Sequence, residues 1–316
     1  MTTSQQPSSS QEMRANLLKA STNFVNTFIN SSAKFAVFRT VPETAPLPSA
    51  TPTCTLFILD SSFNPPSLAH LILATSALRA SRERYPGPRR LLLLFSVHNA
   101  DKKAAPAPFE QRLAMMYRFA EDLSDRLSKS HPSQTPDPEE EEAIAIDVGL
   151  TKLPYYNDKT SAIEASTTDT DHYAGDPVHI HLTGYDTYTR IFAAKYYPNH
   201  DPPLSALDDF FDKHGLRVTI RADAEQGKDE RGEWGSTQEQ RHTIEKLGNG
   251  ELEDVGGKRV WAEKVDITEG EEEGKGVSST RVRKAVKVED WTTVGRLCTP
   301  RVAEWVKEEG LYTTDG

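Results

Sequence analysis

Six short apolar runs, alternating with longer stretches of helical character, constrain this 316-residue chain more than any other feature. The runs are CTLFILD (54–60), RLLLLFSV (90–97), AIAIDV (143–148), VHIHLTG (178–184), LRVTIRA (216–222) and RVWAEKVDI (259–267). Each is brief and rich in Leu or β-branched residues, the pattern of strands covered on both faces. Helical candidates fall between them at 68–85, 109–128, 186–196, 204–214 and 236–247. Strand and helix in alternation predict an α/β fold with a doubly wound parallel sheet, and such sheets bind ligands beyond the carboxyl ends of their strands.

The organisation reads as a polar tail over 1–10, an N-terminal helix and extension over 11–53, and one α/β domain over 54–316. Residues 11–36 have helical periodicity, with Leu17, Leu18, Phe24, Val25, Phe28 and Ile29 on one side. The same stretch is Ser-rich and acid-poor, so a mitochondrial presequence stands beside a helix packed on the domain; the scarcity of basic residues favours packing. Three stretches read as surface inserts with solvated loops: 130–142 (Pro-rich, then acidic), 160–176 (Thr/Asp-rich) and 269–276 (EGEEEGKG). A net charge of −10 argues against a nucleic-acid partner, which needs a basic face, although an anionic nucleotide needs only a local cluster of donors. Cys54 and Cys298 have no metal-ligand spacing and read as reduced thiols, and no apolar run approaches a membrane span. Cytosol or nucleus fits, with mitochondrial import left open. Nothing sets the oligomeric state.

Two segments carry chemistry. The first apolar run ends in Asp60-Ser61-Ser62-Phe63-Asn64-Pro65-Pro66-Ser67-Leu68-Ala69-His70, and a helix is expected from about Ser67. Free N–H groups at such a strand–loop–helix junction converge where phosphate oxygens can sit, and His70 lies one turn into the helix. Ser67 is equally a natural N-cap. Near the other end, Val277-Ser278-Ser279-Thr280-Arg281-Val282-Arg283 places two hydroxyls and an arginine at a second expected helix start.

These two segments resemble the paired signatures of the nucleotidyltransferase superfamily, and the second is similar to the form found in nicotinamide mononucleotide adenylyltransferases. Asn99–Lys103 followed by Arg112, Gly184-Tyr185-Asp186, Arg221-Ala222-Asp223 and the Pro-headed tail 297–312 resemble further family segments, so the likeness covers about 54–312, apart from the inserts. The resemblance implies a Rossmann-like fold and adenylyl transfer from ATP to nicotinamide mononucleotide. It implies catalytic roles for His70, Ser67, Lys103 and Arg283. Nucleotide contacts are implied from Ser62, Phe63, Asn64, Lys102, Gly184, Asp186, Arg221, Ser278, Ser279 and Thr280. Tyr155, Tyr156 and Tyr197 are candidates to stack on the acceptor ring in place of the family's tryptophan. No side chain is assigned to a metal, because Mg2+ would be held mainly by ATP phosphates and water.

The chain departs from the pattern where Ser67 replaces the first histidine, Ser61 the opening glycine and Ala69 the glycine before His70, as in a divergent fungal-type subgroup. Two alternatives therefore stay open: a nucleotidyltransferase with another acceptor, and a nucleotide-binding or regulatory protein that has lost transfer activity.

Overall fold

The computed structural model describes residues 9–46, 50, 52–98, 107–129, 144–170, 173–220 and 235–314. Most of the 1–10 tail and the whole 130–142 stretch lie outside them. The chain opens with α1 (Ser9–Asn30), β1 (Phe35–Val41), β2 (Thr55–Asp60), α2 (Leu68–Leu78), β3 (Arg89–Ser96) and α3 (Phe109–Lys129). There follow β4 (Ala145–Thr151), α4 (Tyr156–Thr170), β5 (Val178–Gly184), α5 (Tyr185–Ile191), α6 (Asp208–Lys213) and β6 (Gly215–Ile220). The remainder comprises α7 (Thr237–Asn249), β7 (Val265–Glu269), α8 (Ser279–Lys287), α9 (Trp291–Leu297) and α10 (Pro300–Glu308).

The strands form one seven-stranded sheet in the order β1-β4-β3-β2-β5-β6-β7. All pairings are parallel except β1 with β4. Strand order runs outward from β2 to β4 on one side and from β5 to β7 on the other. The reversal therefore falls between β2 and β5, where a doubly wound sheet opens a crevice at its carboxyl ends.

Alternation along the strands explains why both faces are covered. Phe57, Leu59, Leu91, Leu93 and Phe95 enter the cluster that also holds residues of α2, α3, α8 and α10. Leu56, Ile58, Leu92 and Leu94 point the other way and pack with Ala162 and Ile163 of α4. Successive residues of a strand serve opposite faces, so an all-apolar run is what two covered faces require.

Three expectations change. Residues 160–176 are not a solvated loop, because most of the stretch is α4, whose Thr160, Ala162 and Ile163 are buried. Residues 259–264 form a 3-10 turn rather than strand, with Trp261 stacked on Phe211 at 4.9 Å; only Val265–Glu269 continues the sheet. The N-terminal extension contributes a strand as well as a helix. Its α1 buries Leu17, Val25 and Phe28, whereas Ile29, assigned to the same side, stays exposed. Arg14 of α1 pairs with Glu309 at 3.0 Å, which joins the helix to the carboxyl-terminal segment.

Two buried polar groups fix the sheet. Asp147 of β4 is fully buried and takes both Arg90 Nε (3.0 Å) and Nη2 (2.7 Å), together with the Tyr173 hydroxyl (3.0 Å) and that of Thr40 (2.7 Å). The three donor residues come from different segments, so one carboxylate ties β1 to β3 and β4. On β5, His179 and His181 share the face toward α4 and α6. His179 stacks on His214 with ring centres 4.4 Å apart, and His181 Nε2 lies 2.9 Å from Thr160 Oγ1. Burial holds both His179 and His181 well below the ordinary imidazole value, so they are neutral at pH 7.

Candidate active site

A cavity of about 440 Å³ opens at the carboxyl ends of β2, β5 and β6, over the point where strand order reverses. Its walls come from the β2–α2 loop, the starts of α4 and α5, and the segment that leads into α8.

The β2–α2 loop is fastened from behind. Arg112 of α3 donates to the Ser62 carbonyl, at 2.8 Å from Nε, and Arg283 of α8 donates to that of Asn64 at 2.6 Å. Ser279 Oγ donates to the Pro65 carbonyl at 2.8 Å, and the Cys298 thiol lies 3.4 Å from that of Pro66. The Tyr312 hydroxyl donates to Asn64 Oδ1 at 2.7 Å. Four loop carbonyls are thus neutralised by donors distant in sequence, and the loop becomes a more favourable surface for an anion. Phe63 takes a left-handed conformation (φ 43°), which costs a bulky residue about 1–2 kcal/mol. Its ring is fully buried, 4.9 Å from the His70 ring and 6.3 Å from Phe119. Phe63 and Asn64 therefore do not line the cavity, contrary to the nucleotide-contact role expected of them; they shape the loop from inside.

His70 occupies the third position of α2. The Ser67 backbone N–H donates to its Nδ1 at 3.0 Å, and Ser67 Oγ lies 3.0 Å from the same nitrogen. Nδ1 therefore carries no proton, and Nε2–H donates to Ser61 Oγ at 2.9 Å. Burial lowers His70 to about 4, so the ring is a neutral donor at pH 7. Ser67 itself is fully buried. It nevertheless borders the cavity, and its backbone N–H and hydroxyl, both at Nδ1, orient His70.

The second motif opens α8. Ser278 caps the helix, accepting from the Arg281 N–H at 3.2 Å, and Ser278, Ser279, Thr280 and Arg283 all line the cavity. Arg283 also reaches Thr280 Oγ1 at 3.3 Å, and burial lowers its pKa from the ordinary arginine value. A helix start, hydroxyls and a guanidinium thus line the same cavity as His70, a combination suited to phosphate oxygens.

The other end of the cavity is aromatic. Tyr155, Tyr156 and Tyr197 line it together with Gly184 and Asp186. Tyr197 is almost covered and its hydroxyl donates to the Ile191 carbonyl at 2.8 Å; Tyr155 is the most exposed of the three. Tyr156 packs edge-on to His181 at 5.2 Å. Asp186 accepts from Arg190 at 3.1 Å.

Ser62 lines the cavity as expected, while Lys102, Lys103 and Arg221 lie outside the described residues. Sequence reasoning missed Asp60, Lys159, Arg190, Glu271 and Lys275, which line it as well. Asp60 had a visible signal, a lone charge closing an apolar strand. The acidic 269–276 stretch is more than a solvated loop, since Gly270, Glu271, Gly274 and Lys275 form part of the wall. Its glycines permit that approach: a Cβ on Gly274 would stand 3.0 Å from Ile72 Cδ1.

A fastened strand–loop–helix junction and a capped helix start border one cavity at the switch point of a doubly wound α/β sheet, where such folds bind ligands. No family model matches the chain. It is 27% identical over 253 residues to a Schizosaccharomyces pombe protein named "Putative nicotinamide mononucleotide adenylyltransferase", covering 80% of this chain and 84% of the relative. Among solved structures it is similar to Plasmodium falciparum nicotinic acid mononucleotide adenylyltransferase complexed with NaAD (12% identity, 83% of this chain, 98% of that one, TM-score 0.42). It is also similar to Thermotoga maritima TmcAL bound with alpha-thio ATP (12% identity, 81% of this chain, 56% of that one, TM-score 0.36). By sequence the chain thus resembles a nicotinamide mononucleotide adenylyltransferase over most of its length. No helix among the described residues is long and apolar enough to cross a membrane.

Proposed function

We propose that this protein transfers the adenylyl group of ATP to nicotinamide mononucleotide, giving NAD and pyrophosphate. The observation that carries the reading is that the neutral, proton-bearing His70 Nε2 and the Ser278–Arg283 helix start line one cavity.

In the step, a phosphate oxygen of the mononucleotide forms a bond to the α-phosphorus of ATP. The bond from that phosphorus to the α–β bridging oxygen breaks, and pyrophosphate leaves with the bonding pair. No covalent enzyme intermediate is needed, so the protein's work is positioning and charge stabilisation. His70 donates from Nε2 to the phosphate being transferred, exchanging its Ser61 partner for a phosphate oxygen. Arg283, with the hydroxyls and N–H groups at the start of α8, takes the charge that gathers on the leaving pyrophosphate. Lys102 and Lys103 are assigned to the same charge. Gly184 and Asp186 hold a ribose at the end of β5, and the tyrosine end receives the acceptor ring.

Among the described residues no three His, Cys, Asp or Glu side chains are grouped to hold a metal. Two of the cavity carboxylates, Asp60 and Asp186, are engaged by Lys159 and Arg190. Magnesium in this reading rides on the ATP phosphates, where it would neutralise charge.

A second reading, a nucleotide-binding protein without transfer, draws on the Ser61 hydroxyl that already takes the His70 proton. Pyrophosphate release with ATP and magnesium, measured with and without nicotinamide mononucleotide, separates the readings. Release that depends on the mononucleotide, with NAD formed in equal amount, is expected. ATP binding without turnover would leave the second reading, and release only with a different acceptor would reassign the substrate.

A further inference from the structure

The Asp60 and Lys159 side chains form a close ion pair and are only 8% and 6% exposed. Asp60 is the last residue of the central strand β2, and Lys159 lies one turn into α4, so the pair spans from one wall of the crevice to the other. Both residues line the cavity. The Lys159 ammonium stands 5.1 Å from the centre of the Tyr156 ring, which places the pair at the aromatic end, while Asp60 adjoins Ser61, the partner of His70. The pair thus lies between the phosphate-handling end and the ring-receiving end.

A charged pair that is nearly buried strengthens nothing by itself, since desolvation offsets most of the attraction. Its effect on a ligand is different. Together the two groups present no net charge to whatever ring lies against Tyr156, and each alone would present a full one. We propose that the Asp60–Lys159 pair sets acceptor specificity, keeping this end of the cavity neutral so that it favours an uncharged pyridine carboxamide over the corresponding carboxylate. The proposal rests on the adenylyl-transfer reading above. It follows that uncovering either charge tilts the choice. At an effective dielectric constant of about 20, one unit charge roughly 10 Å from a carboxylate changes its binding by about tenfold, so the effect needs only the neighbourhood that the cavity provides.

The test is the ratio of kcat/KM for nicotinamide mononucleotide to that for nicotinic acid mononucleotide. Asp60→Asn leaves the ammonium uncompensated and is expected to move the ratio about tenfold or more toward the carboxylate. Lys159→Met leaves the carboxylate and is expected to move it the other way. The double variant, which removes both charges at nearly constant volume, is expected to return it to within about threefold of the unaltered protein. Should a single variant fail to fold, calorimetric binding of the two mononucleotides to the double variant and to the other single variant reads the same ratio. Turnover with ratios unmoved in both single variants would overturn the specificity role and leave adenylyl transfer standing. Absence of mononucleotide-dependent turnover in the unaltered protein would overturn both.

Discussion

The imidazoles of His70, His179 and His181 make the acid response of this protein calculable. All three are held below their ordinary value by burial, to about 4 for His70 and well below 6.5 for the other two. In the unfolded chain they regain a value near 6.5, so below that pH the unfolded state binds protons that the folded state refuses. Stability is therefore full above about pH 7 and is lost as pH falls through 6.5 toward the folded values. At pH 5.5 a group that stays neutral in the fold lowers stability by roughly 1 kcal/mol relative to pH 8, and the three together by a few. That is a large share of the 5–15 kcal/mol typical of a folded domain. His181 is the one to replace, because it is fully buried and its Nδ1 has no protein partner. His181→Gln keeps a polar group near Thr160 and removes the titration. Urea unfolding across pH 5.5–8 is expected to show a loss smaller by roughly 1 kcal/mol in the variant than in the unaltered protein. Equal pH slopes for the two would refute the reasoning, whatever the variant's stability at pH 8.

Tyr312→Phe strips Asn64 Oδ1 of its buried donor and is expected to cost about 1–3 kcal/mol in urea unfolding, with a higher KM for ATP; an unchanged KM would detach the tail from the loop. Asp147→Ala leaves Arg90 buried and unpaired, with an expected loss of about 3–5 kcal/mol by the same measurement and a kcat that survives wherever the protein is folded. His70→Ala is expected to lower turnover by roughly two orders of magnitude or more at saturating ATP with the circular dichroism spectrum intact, and near-normal turnover would remove it from the mechanism.

The sheet was legible where burial writes itself into composition. Strands β2 to β6 are covered on both faces and so appear as apolar runs, whereas β1 is an edge strand whose central five residues are only partly buried, and FAVFRTV carries no such signature. The Thr/Asp-rich α4 was hidden for a related reason: a few residues face the sheet, and the rest of its composition is that of a loop. Both halves of the site were visible as local segments, because a strand–loop–helix junction and a capped helix start are written in consecutive residues. Pairings across the chain were not. Asp60 and Lys159 are separated by 99 positions, and the burial of Ser67 depends on packing that no neighbouring residue announces.

The fastening of the β2–α2 loop also orders events in time during synthesis. Its residues 61–66 leave the ribosome early, yet their restraints arrive with Arg112, then with Ser279, Arg283 and Cys298, and last with Tyr312. A nascent chain halted after Glu269 already holds all seven described strands, while the loop beneath its nucleotide crevice still lacks four of these five tethers. A chain that stops before α8 therefore carries the sheet's strands while the loop at the mouth of the cavity lacks most of its restraints.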